Sequence, residues 1–141
     1  MSVAHVFSTI FELVTAIITI SIGIKFLITK EYFSYHKFVI GKEWTEIDEP
    51  IRKIFLAVFK MTSSGIIVLS LIMFYYIGIN FFTNELSFIS KIAFPLFFIL
   101  FWIGSFLTTF NVYKKTNANT PWKGSIASII LLVLGLILGI I

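Results

Sequence analysis

The chain contains no cysteine and few charged residues, with 11 basic and 7 acidic side chains among 141 residues. Without cysteine the protein cannot form disulfides, thiolate metal sites or a thiol nucleophile. Soluble domains are about half apolar and about a quarter charged, whereas this chain is 58% hydrophobic and 13% charged. So few polar side chains cannot cover that much apolar surface in water. We therefore expect an integral membrane protein.

Several motifs that carry chemistry or nucleic-acid recognition are also missing. The sequence has no glycine-rich phosphate loop, no nucleophile elbow and no His-Glu-x-x-His spacing. We predict no metal site, no cofactor and no nucleic-acid partner. The N-terminal residues 1–5 lack the basic region of a signal peptide, and the apolar run that follows is too long for one. The first hydrophobic segment is therefore expected to be retained.

Four apolar runs are long enough to cross the roughly 30 Å hydrocarbon core of a bilayer, which takes about 20 helical residues. Helices are favoured over open strands because every backbone amide in lipid must bond within its own segment. We predict an all-α integral membrane protein, a single domain over residues 1–141 with four transmembrane helices in an antiparallel bundle. The predicted spans are residues 6–29, 54–79, 86–112 and 122–141.

Local signals mark the ends of these runs. Asp48, Glu49 and Pro50 place carboxylates and an early proline where the second span begins. The segment "TPW", residues 120–122, offers a threonine N-cap, a first-turn proline and an interfacial tryptophan for the last span. Pro95 lies inside the third run and predicts a kink there.

The basic residues outside the spans predict an orientation. The second connection, "GINFFTNELS", and the N-terminal tail carry no lysine or arginine. Because basic residues concentrate in cytoplasmic loops, we predict cytoplasmic first and third connections and outside termini. The eight basic residues of those two connections and their edges are Lys30, Lys37, Lys42, Arg52, Lys53, Lys114, Lys115 and Lys123.

Polar side chains recur at helical spacing in the first run, which predicts a stripe facing protein or water. Charged groups inside a span are costly and raise a functional question. Glu12 and Lys91 would each lie roughly 8 to 10 Å below the outer surface, so we predict that they form an intramembrane ion pair. The stripe consists of His5, Ser8, Glu12, Thr15 and Thr19.

The first connection, residues 30–53, is long and alternates aromatic and charged side chains. This pattern is typical of a short interfacial helix lying at the headgroups, and Gly41 is expected to break it. His36 has an ordinary pKa near neutrality and is suited to acid–base work.

A set of short motifs resembles a family of small bacterial four-helix membrane proteins to which no function is assigned. The family pattern is Tyr-His, then a glycine, then Trp-x-Glu, matched here by "YHKFVIGKEW", residues 35–44, and Glu46. A basic residue followed by a small-residue triplet matches Lys60 and residues 63–65, although two serines stand where the family more often has glycines. A Thr-Pro-Trp start to the last helix matches residues 120–122. The resemblance implies the four-helix fold and a bacterial inner (plasma) membrane, and it implies no reaction.

The resemblance also groups one set of candidate ligand-binding residues at the cytoplasmic face. We expect non-enzymatic binding of a lipid, an amphiphile or a membrane partner, with His36 and Glu46 bonding the polar head and Lys60 offsetting negative charge. Anionic lipid headgroups are the expected surface partners of the loop lysines. The candidate residues are Tyr35, His36, Trp44, Glu46 and Lys60.

Other functions remain open on the sequence alone. An oligomeric transporter or channel would use Glu12, Lys60 and Lys91, and a membrane enzyme would use His36 and Glu46 as acid and base. An accessory subunit would have no pocket. The G-x-x-x-G spacing of Gly135 and Gly139 suits either a homo-oligomer or packing within the bundle.

Overall fold

The structure, a computed structural model, describes residues 2–83 and 86–141, and its regular elements over those ranges are all helical. Four of the helices, α1, α3, α4 and α5, are long and apolar enough to cross a membrane. Met1, Asn84 and Glu85 lie outside the described residues. Asn84 and Glu85 belong to the predicted second connection. The elements are α1 (Val3–Ile28), α2 (Ser34–Ile40), a 3-10 turn (Trp44–Glu46), α3 (Glu49–Phe82), α4 (Phe88–Thr116) and α5 (Trp122–Ile140).

Two of the long helices extend well beyond their predicted spans. The 34 residues of α3 begin at Glu49 rather than Ile54, and at 1.5 Å per residue they cover about 51 Å. Helix α4 continues to Thr116, through a last turn that contains Lys114 and Lys115. Hydropathy marks only the apolar part of a helix, whereas backbone hydrogen bonding continues into polar turns, where basic residues favour the C-terminal end of the helix dipole.

The start of α3 and the end of α2 agree with the sequence signals. Asp48 is the N-cap residue of α3, with Glu49 and Pro50 in its first turn. Helix α2 ends at Gly41, whose φ of 73° lies in the left-handed region that glycine adopts without strain. The predicted short helix and its break at Gly41 are therefore confirmed.

The predicted threonine cap of α5 is wrong. Pro121 occupies the N-cap position, and the Thr120 hydroxyl instead donates to the carbonyl oxygen of Thr109 in α4, at 2.8 Å. This hydrogen bond links the residue before α5 to α4. Helix α4 runs through Pro95 without interruption, and the kink stays a prediction.

The long helices contact one another unequally. Helix α1 packs closely against α3 and α5, and α5 packs against α4, whereas α3 and α4 touch at few points. The order around the molecule is thus α3, α1, α5, α4, and the α3–α4 seam is the loosest boundary between neighbouring long helices. The main hydrophobic core consists of Ala16, Met73, Tyr76, Ile77, Phe98, Ile99, Trp102 and Leu132.

Small residues bring α1 close to its two neighbours. The Ser63 hydroxyl of α3 donates to the carbonyl oxygen of Gly23 at 2.7 Å, and the Ser8 hydroxyl donates to that of Gly135 in α5 at 2.7 Å. A Cβ added at Gly139 would lie 2.9 Å from the Ser8 hydroxyl oxygen. The Gly135 and Gly139 face therefore packs within the chain, and the oligomer through the same glycines stays a prediction.

The polar stripe of α1 faces the interior, as predicted. Ser8, Glu12, Thr15 and Thr19 are each at most 2% exposed, and His5 is half-buried. The hydroxyls of Thr15 and Thr19 donate to backbone carbonyls one turn earlier in α1, which satisfies them without a partner on another helix. Many large apolar side chains of the long helices are exposed instead, as suits a hydrocarbon surrounding.

Candidate functional site: a cavity beneath the first connection

The first connection folds back over the helix ends as an aromatic cap, which we define as Tyr32, Phe33, Tyr35, His36 and Trp44. The Tyr32 ring packs edge-on against Trp44, with centroids 5.1 Å apart. Its hydroxyl donates to the carbonyl oxygen of Lys42. Tyr32 is buried and forms a small core with Ile47 and Phe59, so the cap is anchored on α3.

Tyr35 and His36 lie together in this cap, with ring centroids 4.0 Å apart. The Nδ1 atom of His36 accepts a hydrogen bond from the backbone amide of Phe33 at 3.2 Å, which caps the first turn of α2. Burial lowers the pKa of His36 below its ordinary value of 6.5, in keeping with the neutral ring that an accepting nitrogen requires. His36 is thus engaged in holding α2.

The remaining sequence-predicted residues are less closely associated. A carboxylate oxygen of Glu46 accepts from the backbone amide of Glu43 at 2.7 Å, so this side chain closes the 3-10 turn. Glu43 also forms an ion pair with Lys37. Lys60 is exposed on α3, and no ion pair between described residues includes it. The structure therefore brings Tyr35, His36 and Trp44 into one cap and leaves Lys60 outside it.

A cavity of about 590 Å³ lies next to the cap. All four long helices contribute to its wall, and Tyr35 of α2 borders it. Burial raises the pKa of Tyr35, and its hydroxyl makes no hydrogen bond within the described ranges. The apolar part of the wall includes Ile18, Ile22, Phe26, Ile66, Phe101 and Trp102.

One side of the cavity carries hydroxyl groups from α4 and α5. Ser105 and Ser125 lie 3.1 Å apart across the two helices, and the Thr109 hydroxyl donates to the carbonyl oxygen of Ser105 at 2.8 Å. The Thr109 proton and one of the two serine protons are used in these bonds, so the serine pair keeps one proton to donate and oxygen lone pairs to accept. Of the described residues, none with a formal charge lines the cavity. Such a wall suits the uncharged, largely apolar part of a ligand.

Only part of the cavity wall could be predicted from the sequence. Trp102, Ser105 and Thr109 fall on one helical stripe of α4, a signal that is visible in the spacing. Gly104 and Gly124 also line the cavity, and an added Cβ at either would meet no atom within 4 Å. Other glycines of the chain, such as Gly23 and Gly135, lie at tight helix contacts. The sequence alone therefore does not distinguish a glycine that borders open space from one that is closely packed.

The second predicted pair, Glu12 and Lys91, lies away from this cavity. Glu12 is 2% exposed, and one of its carboxyl oxygens, Oε2, has no hydrogen-bond partner among the described residues. The side chain of Tyr76 approaches the carboxyl, and the Tyr76 hydroxyl lies 3.5 Å from the backbone oxygen of Lys91. No ion pair in residues 2–83 and 86–141 includes Glu12, and its pairing with Lys91 stays a prediction.

Over the described part of the chain, no three His, Asp or Glu side chains come close enough together to hold a metal ion. Comparison with family models, with curated proteins and with solved structures finds no match to this chain. The resemblance carried by the Tyr-His, Trp-x-Glu and Thr-Pro-Trp motifs therefore stays a prediction, and the function is argued from the cavity alone.

Proposed function

We propose that this is a multi-pass protein of a bacterial inner membrane, with its four long helices in an antiparallel bundle, and that it binds a lipid or similar amphiphile without catalysing a reaction. The observation that carries the proposal is the largely apolar cavity of about 590 Å³ between the long helices. Its volume falls in the range of roughly 300–1,000 Å³ that ligand pockets occupy.

The antiparallel arrangement is supported by contacts near both ends of α1. His5, near its start, stacks on Phe81 near the end of α3, with ring centroids 6.5 Å apart. Gly23, near its end, accepts the hydrogen bond from Ser63 in the first half of α3. Basic residues of the first and third connections then favour a cytoplasmic position for the cap and the cavity.

Lateral access from the bilayer supports a lipidic ligand over a water-soluble one. Helices α3 and α4 touch at few points, yet Thr62 of α3 and Thr108 of α4 both line the cavity and both are exposed. A hydrocarbon chain in the cytoplasmic leaflet would pass between these two helices without leaving the apolar phase. The chain would then exchange contacts with lipid for contacts with Phe101 and Trp102.

The role of each polar group changes from the one expected from the sequence. His36 and Glu46 already accept hydrogen bonds from backbone amides, so we assign the contact with the ligand head to the Tyr35 hydroxyl and to the hydroxyls of Ser105 and Ser125. Lys60 lies on α3 two residues before Thr62, about 3 Å along the helix axis. Because its side chain is exposed, we assign it the attraction of an anionic headgroup outside the cavity.

The proposal is tested by native mass spectrometry of gently solubilised protein while detergent is stripped in steps. We expect a defined lipid mass on the wild-type chain and its loss in Gly124→Leu, because the leucine would fill open space in the cavity. Gly65→Leu is the matched control, since Gly65 also faces open space but does not line the cavity. A wild-type chain that retains no lipid, or equal retention in both variants, would contradict the proposal.

A further inference from the structure

Among the described residues, Glu12 is a buried carboxyl group that lipid binding does not use. Glu12 lies where α1 meets α5, so closely that a Cβ added at Gly135 would be 3.3 Å from the Glu12 Cγ. Its Oε2 atom is buried and has no hydrogen-bond partner in the part of the chain that the structure describes. An ionised carboxylate without a compensating charge is strongly disfavoured in such a place, and a proton is the smallest ligand that removes the charge.

Among the described residues, no ion pair supplies Glu12 with a compensating positive charge. Helix α3 contributes the neutral hydroxyl of Tyr76, and α4 contributes a backbone oxygen of Lys91 next to that hydroxyl. The one charged residue of α5, Lys123, lies at the opposite end of that helix from Gly135. On α1 itself the nearest titratable group toward the N-terminus is His5, about 10 Å away along the helix axis.

A polar vestibule lies between His5 and the surface. This cavity of about 380 Å³ is lined by Ser2, His5, Phe81, Lys91 and the last residues of α5, beginning at Leu138. Ser8 lies between His5 and Glu12 on the same stripe, and its hydroxyl donates to the carbonyl oxygen of Gly135. One layer, Ser8 packed against Gly139, therefore separates the vestibule from the carboxyl group.

We propose that Glu12 is a reversible proton-binding site inside the bundle, loaded from the vestibule past Ser8. The ligand is a proton, which needs one free oxygen, rather than a metal cation, which needs several. The site lies at the end of the bundle that carries the chain termini and is separate from the lipid cavity. It stands whether or not that cavity binds a lipid.

Infrared spectroscopy of the membrane-embedded protein tests the site. At neutral pH we expect the carbonyl stretch of one protonated carboxyl group per chain, which disappears in Glu12→Gln and fades as the pH is raised. Glu31→Gln is the control, because Glu31 is an exposed carboxylate of the first connection and its removal should leave the band unchanged. Absence of the band in the wild-type chain, or its persistence in Glu12→Gln, would overturn the proposal.

A second measurement assigns the proton on the wild-type chain even if Glu12→Gln does not fold. An apolar carbodiimide adds to a protonated carboxylic acid: the acid proton moves to a carbodiimide nitrogen, the carboxyl oxygen bonds the central carbon, and rearrangement to an N-acylurea retains the whole reagent. We expect peptide mapping to find the adduct on Glu12, with less of it as the pH is raised. Labelling of Glu12 only after unfolding would overturn the proposal.

The route past Ser8 is tested by transfer to heavy water, which shifts the band as the proton exchanges for deuterium. Ser8→Val removes the hydroxyl and fills the layer, so we expect exchange to slow several-fold. Thr15→Val, on the other side of Glu12, removes a hydroxyl bonded only within α1 and should leave the rate unchanged. Equal rates in Ser8→Val and the wild-type chain would show that the route is wrong.

Discussion

Glycines at the two ends of α5 serve opposite purposes. Near the end of the helix, Gly135 and Gly139 let α1 approach so closely that an added Cβ would crowd Glu12 and Ser8. Near its start, Gly124 borders the lipid cavity and an added Cβ would meet nothing within 4 Å. A missing side chain therefore closes one half of the bundle and opens the other, depending on what lies across from it.

Glycines of α1 and α3 show the same contrast between close packing and open space. Gly23 lies against Ile66 and Ile67, with an added Cβ 2.9 Å from the Ile67 Cγ1, whereas Gly65 has open space around it. Both glycines lie in the half of the bundle beneath the aromatic cap, so close packing where α1 meets α3 and open space occur side by side there. The half beneath the aromatic cap keeps a cavity with hydroxyl groups in its wall.

The largest effect is expected when the close approach at Gly23 is disrupted. Gly23→Val would force α1 away from Ile66 and Ile67 and lower the free energy of unfolding by about 2 kcal/mol, as overpacking of a filled core typically does. Gly65→Val introduces the same side chain into a helix of similar character and should change stability by less than about 0.5 kcal/mol. Denaturant unfolding in detergent micelles measures both, and equal losses would contradict the comparison.

An intermediate effect on stability is expected when the hydrogen bond from Ser63 of α3 to Gly23 of α1 is removed. Ser63→Ala removes the donor to the Gly23 carbonyl and should lower stability by about 1 kcal/mol, the usual worth of such a bond between helices. Ser64 is the matched control because its hydroxyl donates only to the Lys60 carbonyl in its own helix. If Ser64→Ala costs as much as Ser63→Ala under the same unfolding conditions, the bond between α1 and α3 does not stabilise the bundle.

The smallest effect concerns the aromatic cap and depends on pH. The folded pKa of His36 lies below 6.5 because of burial, so the unfolded chain binds the proton more readily. Stability is then complete above pH 6.5 and falls as the pH drops from 6.5 toward the folded pKa. Amide hydrogen exchange of residues 34–40 should become faster over that window.

His36→Gln serves as the control for this pH dependence. A glutamine at this position can still accept the Phe33 amide hydrogen bond, but it does not titrate. The variant should therefore lack the part of the pH dependence that His36 supplies, while the rest of the pH dependence is shared by both proteins. The same acceleration in His36→Gln and in the wild-type chain would assign the effect to another residue.

The helices could be predicted from the sequence because their causes are local. Apolar length located the four long helices, Gly41 located the end of α2, and 3–4 spacing located the buried face of α1. Thr120 shows where local reasoning stops: its motif fits an N-cap, yet its hydroxyl bonds Thr109 on another helix. A cap and an interhelical hydrogen bond require the same residue type.

The cavity could not be predicted because it depends on how few contacts α3 and α4 make with each other. Helices α3 and α4 are both apolar, and nothing in either sequence indicates that they touch so little. His36 and Glu46 are similar cases, because whether a side chain is free to bind a ligand depends on whether a backbone amide already occupies it. Of the five candidate residues, Tyr35 lines the described cavity, and the hydrogen-bond partners of His36 and Glu46 were not visible in the sequence.

Fluorescence of Trp102 tests the central claim most directly, since this residue lines the cavity and is 4% exposed. With Trp44→Phe and Trp122→Phe as background, Trp102 is the one remaining tryptophan and reports contact with lipids brominated along their chains. Lipid binding in the cavity predicts that the brominated chains quench Trp102, and that adding Gly124→Leu to the same background restores its emission. Unquenched Trp102 in the background protein, in bilayers where a chain retaining only Trp122 is quenched, would contradict the account.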